Sequence, residues 1–73
     1  NSLIEIAMDT IYNELSKAPK VAKSFLLDAI ITLFSNNIDK SKATYFFDQA
    51  IQRLKSAGHA EIILDNPIYY KGI

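Results

Sequence analysis

Apolar residues recur at Leu3, Ile4, Ala7, Met8, Ile11 and Leu15, the spacing of one face of a 3.6-residue period. That spacing predicts a first helix over about residues 3–16. Ser2 and Glu5 stand at the Ser-x-x-Glu distance of a capping box, in which each side chain satisfies an orphan backbone N–H. Pro19 favours an extended Ala18 and ends the helical pattern.

Apolar residues then crowd together at Val21, Phe25, Leu26, Ala29, Ile30, Leu33 and Phe34, with Leu27 and Ile31 widening the face. A second helix is expected over about residues 20–35, and one this apolar should lie between its neighbours. Asn36 and Asn37 tolerate the left-handed conformation that a tight helix exit often uses. A third helix is expected over about residues 39–57. Asp39 would be its N-cap, Ala43, Phe46, Phe47, Ala50, Ile51 and Leu54 its buried stripe, and Gly58 its C-terminal stop.

Past Gly58 the period changes. The runs Ala60–Leu64 and Ile68–Lys71 are short, β-branched or aromatic, and bounded by turn formers, as strands are. Asp65-Asn66-Pro67 is short enough to reverse the chain, so a hairpin is expected over about residues 60–72. The fold class expected is α+β, mainly α: three helices followed by a short C-terminal β-hairpin in a single domain over residues 1–73. The core expected from the pattern is Ile4, Ala7, Ile11, Leu15, Phe25, Leu26, Ala29, Ile30, Leu33, Phe47, Ala50, Ile51, Leu54 and Ile62.

Composition narrows the function classes. With 73 residues one core only just offsets the chain entropy, and 49% apolar residues must be buried efficiently. There is no cysteine, so neither a disulfide framework nor a thiolate metal site can add stability. No apolar run is long enough to span a bilayer, and a soluble, intracellular protein of the cytoplasm or nucleoid is expected, with no membrane partner. The chain opens on Asn1 rather than Met and is expected to be a piece of something longer, or trimmed.

Eight basic and eight acidic side chains cancel, so no global basic field announces nucleic acid. The distribution is uneven: Glu5, Asp9 and Glu14 have no basic partner in residues 1–16, whereas Lys17, Lys20, Lys23, Lys40 and Lys42 dominate residues 17–42. Enzymatic chemistry finds little support. His59 is the single histidine and sits at a helix exit, where contact with terminal carbonyls is expected. The carboxylates are scattered singly and only two glycines occur, so acid/base pairs, metal sites and phosphate loops are not expected. No enzyme and no cofactor is expected.

The order of elements resembles a winged helix-turn-helix domain. Locally, the stretch IDKSKATYFFDQAIQRLKSAGHAEII resembles the recognition helix and first wing strand of multiple-antibiotic-resistance-type transcriptional regulators, with Asp39-Lys40-Ser41 entering the helix and Leu54-x-x-x-Gly58 leaving it. The second wing strand would be IYYKGI. The chain departs from that pattern in a longer, more apolar second helix and in a short wing with no Arg or Lys at its tip. A second likeness, to a tetratricopeptide helical hairpin, rests on Leu27, Ile30, Phe34, Ala43, Phe47 and Ala50, but no second repeat follows to cover it.

The first resemblance implies a dimeric DNA-binding regulator of transcription or replication whose third helix enters the major groove of double-stranded DNA. The positions it singles out are Lys40, Ser41, Lys42, Thr44, Tyr45 and Gln49 on that helix, with Lys20 and Lys23 near backbone phosphates. Lysine reaches guanine acceptors or phosphates, Gln49 can pair with adenine, and the hydroxyls of Ser41 and Thr44 suit phosphate. The alternative is a protein-interaction or dimerisation module that binds no nucleic acid, for which neutral charge and the tyrosines Tyr12, Tyr45, Tyr69 and Tyr70 speak.

Overall fold

The computed structural model describes residues 2–36 and 38–73, all with their side chains except Ser2. The capping box of Ser2 and Glu5 and the left-handed exit at Asn37 lie outside the described residues. The elements run α1 (Ser2–Ser16), β1 (Val21–Ala22), α2 (Lys23–Leu33), α3 (Lys40–Ser56), β2 (Ala60–Asp65) and β3 (Ile68–Gly72). Three helices followed by a C-terminal antiparallel hairpin make a mainly helical α+β fold, as the pattern predicts.

The residues that end the elements act as their chemistry requires. The Asp39 carboxylate accepts from the backbone N–H of Lys42 at 2.9 Å and from the Ser41 hydroxyl at 2.9 Å, capping α3. At the other end Gly58 takes φ +80°, a backbone region that a β-carbon disfavours. Its N–H donates to the Lys55 carbonyl at 3.1 Å, and that of His59 to the Leu54 carbonyl at 2.8 Å. Those two crossed bonds close the α3 C-terminus as a Schellman motif and aim the chain into β2.

β1 was not expected. Val21 and Ala22 pair antiparallel with Tyr70 and Tyr69, which puts β3 at the centre of a three-stranded sheet of order β1-β3-β2. The second helix therefore starts at Lys23, later than the expected residue 20, because the β-branched Val21 is buried in the sheet instead. It also ends earlier, at Leu33. Phe34 caps it with ordinary negative φ, and the Ile38 N–H donates to the Phe34 carbonyl at 3.1 Å. Among the described residues no non-glycine residue has positive φ, so Asn36 does not make the left-handed exit.

The core corrects the expected one in four places. Ile4, Ala7, Ile11, Leu15, Leu26, Ile30, Phe47, Ala50, Ile51 and Leu54 are buried as expected, but Phe25 is 54% and Leu33 41% exposed, and Ala29 is only half-buried. The inward stripe of α2 is Leu26, Ile30 and Phe34, one residue further along than Phe25, Ala29 and Leu33. Ile62 is exposed because β2 leaves the helical layer directly after the buried Ala60. Pairing slips between Ile62, opposite Tyr70, and Leu64, opposite Tyr69, so Ile63 bulges out of the ladder. Pairing of Asp65 with Ile68 also shortens the reversal to Asn66-Pro67, not the three residues expected.

Val21, Ala60 and Tyr70 join the core from the sheet. Gly72 lies against the last turn of α1, where a β-carbon would meet that of Leu15 at 3.3 Å. No helix among the described residues is long and apolar enough to cross a membrane.

Candidate nucleic-acid interface

α3 is amphipathic, and its buried side is settled by Ala43, Phe46, Phe47, Ala50, Ile51 and Leu54. At 3.6 residues per turn, the positions opposite that stripe are Ser41, Tyr45, Asp48, Gln52 and Lys55, all exposed. They form the crest of the outward face. Lys40 and Lys42 flank the crest on opposite sides: Lys40 shares its flank with Thr44, and Lys42 shares the other with Gln49 and Arg53. Thr44 and Gln49 are half-buried accordingly, and Lys40 and Lys42 are exposed.

Local chemistry orders the first turn. Asp39 is engaged by Ser41 and by the backbone of Lys42, and these hydrogen bonds, that of the backbone first, hold its carboxyl below the usual carboxylate range. The hydroxyl of Ser41 is thus occupied in donating to Asp39, and that of Thr44 donates to the Lys40 carbonyl at 3.0 Å. Both keep acceptor lone pairs. The Tyr45 ring packs edge-on to Phe46 at 5.5 Å between centroids and leaves the residue 55% exposed.

The two remaining lysines sit elsewhere. Lys20 precedes β1 and lays its Nζ over the Tyr69 ring, 5.1 Å from the centroid, a cation–π contact that fixes the charge on the hairpin. Lys23 opens α2, where it borders a shallow hollow with Leu27, Pro67 and Ile68. Six of the eight expected positions thus lie within residues 40–49 of α3, spread over its crest and both flanks, whereas Lys20 and Lys23 lie at the start of the sheet and of α2.

Acidic groups share these surfaces. Asp48 lies on the crest of α3, and Glu61 pairs with Lys71 at 3.0 Å across the hairpin. Burial pushes the Tyr70 phenol above its ordinary value, and the Asp48 carboxylate adds to that shift. His59 places its ring edge-on to Tyr12 at 5.9 Å, and the helix-end carbonyl of Leu54 is taken by its backbone N–H, not by the imidazole. No cluster of three or more potential metal ligands occurs among the described residues.

The sequence pattern missed the exposed apolar positions. Phe25 and Leu33 stand on α2, and Ile62, Ile63 and Leu64 on the edge strand β2. Comparison with family models, with curated proteins and with solved structures finds no match for this chain.

Proposed function

We propose that the domain is a DNA-binding regulatory module of winged helix-turn-helix type, acting in transcription or replication control and reading the major groove of double-stranded DNA with α3. Three helices followed by an antiparallel hairpin is the order such a module uses. β1 adds a strand that ties the hairpin to the helical layer beside α2. The observation that carries the reading is the first turn of α3, where Lys40, Ser41 and Lys42 are exposed at the positive end of the helix dipole. The one carboxylate there, Asp39, is turned onto the helix itself.

In this reading Lys40 and Lys42, on opposite flanks of the crest, meet phosphates on either wall of the groove. Ser41 and Thr44 donate to phosphates by exchanging their hydrogen bonds to Asp39 and to the Lys40 carbonyl, and Tyr45 and Gln49 face base edges. Lys20 and Lys23 extend the contact beyond α3. Asp48 on the crest limits affinity, since it faces the same polyanion. Titration of a labelled random duplex followed by fluorescence anisotropy, at low and then moderate salt, tests the proposal. Binding that weakens steeply with salt supports it, and absence of binding at low salt refutes it.

A second reading, a protein-interaction or dimerisation module, is favoured by one observation. Phe25, Leu33, Ile62, Ile63 and Leu64 leave large apolar surface exposed on a small domain.

A further inference from the structure

α1 and α2 leave an open groove between them, lined by Thr10 and Glu14 from α1 and by Phe25, Asp28, Ala29, Thr32 and Leu33 from α2. Its floor is the second apolar stripe of α2. Phe25, Ala29 and Leu33 recur every four residues, with large side chains at both ends and the small Ala29 between them. Phe25 and Leu33 are half exposed because the neighbouring stripe, Leu26, Ile30 and Phe34, takes the inward side. A stripe of that spacing with a small residue at its centre matches the close approach of a second helix.

Charge decides what kind of helix. The groove has no basic residue in its lining, and its two charged residues are Glu14 and Asp28. Glu14 is paired with Lys17 at 3.2 Å at the solvent edge, whereas Asp28 has no ion pair among the described residues. α1 itself carries no lysine or arginine. The charge left unpaired in the groove is therefore the negative charge of Asp28.

A second copy of the chain fits poorly. Antiparallel two-fold packing across Ala29 would set Phe25 of one copy against Leu33 of the other, but it would also bring the two Asp28 carboxylates together near the axis. Like charges so placed oppose association.

We infer that the α1–α2 groove is a docking site for a basic amphipathic helix of a protein partner, with apolar residues at helical spacing seated between Phe25 and Leu33. Lysine or arginine on its flanks faces Asp28 and Glu14. All lining residues come from α1 and α2, so the groove leaves the outward face of α3 free. The site is independent of the DNA-binding proposal, and either can fail without the other.

The test is an amide NMR titration of the isotope-labelled domain with an amphipathic Leu/Lys helical peptide. Two control peptides keep the length: one with Ser for Leu, one with Glu for Lys. The expected result is shift changes confined to residues 10–14 and 25–33 with the Leu/Lys peptide alone. Asp28→Lys should weaken that binding about tenfold or more, and Phe25→Ser with Leu33→Ser should abolish it. Because Phe25 and Leu33 are half exposed, the double variant should keep the parent's circular dichroism. The inference is overturned by equal binding of the Glu peptide, by shifts centred on α3 or β2, or by no binding at all. Perturbation of the same amides by random duplex DNA would overturn it too. So would self-association of the free domain through those residues, because the occupant would then be a second copy.

Discussion

Val21 pairs antiparallel with Tyr70, and both side chains are buried. That single register point joins the segment before α2 to the central strand of the hairpin, and it closes the helical layer against the sheet. Tyr70→Ala should therefore destabilise by about 3–5 kcal/mol, the usual range for a large buried aromatic. Because stability in a chain this size is on the order of 4–10 kcal/mol, that is a large share of the whole. A urea melt measures it. Alkaline spectrophotometric titration gives a second check. The raised pKa of the Tyr70 phenol means its contribution is intact below the ordinary value of 10.0 and is lost as pH rises through the higher folded value. One tyrosine should ionise late and together with unfolding.

The rotation of α2 can be read by substitution. Phe47→Ala and Leu54→Ala, in the buried stripe of α3, should each cost about 2–5 kcal/mol. Phe25→Ala and Leu33→Ala should each cost about 1 kcal/mol, because half-exposed side chains have only about half the transfer energy of a buried one to lose. Chemical melts of the four variants decide the matter. Equal losses at Phe25 and Phe47 would mean that Phe25 belongs to the core.

Asp39 gives the fold a dependence on acid. Its carboxyl is held below the ordinary value of 3.8 by the hydrogen bonds from Lys42 and Ser41, so folding is favoured above that value. The contribution disappears as pH falls through the lower folded value. Asp39→Ala should lower the thermal midpoint at neutral pH and flatten its fall in acid, whereas Asp39→Asn should retain most of the cap at neutral pH. Parallel melts across the acid range compare the three proteins.

Much of this architecture was legible in the sequence. α1 and α3 each carry one clear apolar stripe, and Asp39 and Gly58 mark the two ends of α3 by their chemistry. α2 was only partly legible. Leu26-Ile30-Phe34 and Phe25-Ala29-Leu33 are both apolar stripes of the same period, and periodicity alone does not say which one meets α1 and α3. β1 is only two apolar residues between Lys20 and Lys23, and only its long-range pairing with Tyr69 and Tyr70 distinguishes it from a helix start. The bulge at Ile63 breaks the alternation on which the burial of Ile62 was expected.

For the candidate site, residue identities on α3 were legible but their disposition was not. The division of Lys40 and Lys42 between opposite flanks follows from which side of the helix is buried. The cation–π contact of Lys20 with Tyr69 follows from the sheet. The α1–α2 groove was hidden for the same reason as the rotation of α2.

The central claim is that α3 meets DNA through the lysines of its first turn. The most direct test is the salt dependence of duplex binding, followed by anisotropy, for the parent and for Lys40→Ala with Lys42→Ala. Each phosphate contact contributes about 0.9 to the slope of log affinity against log salt. The account predicts a parent that binds at low salt and a double variant whose slope is shallower by nearly two, by that arithmetic. A parent that does not bind, or a slope unchanged by removing both lysines, would contradict it.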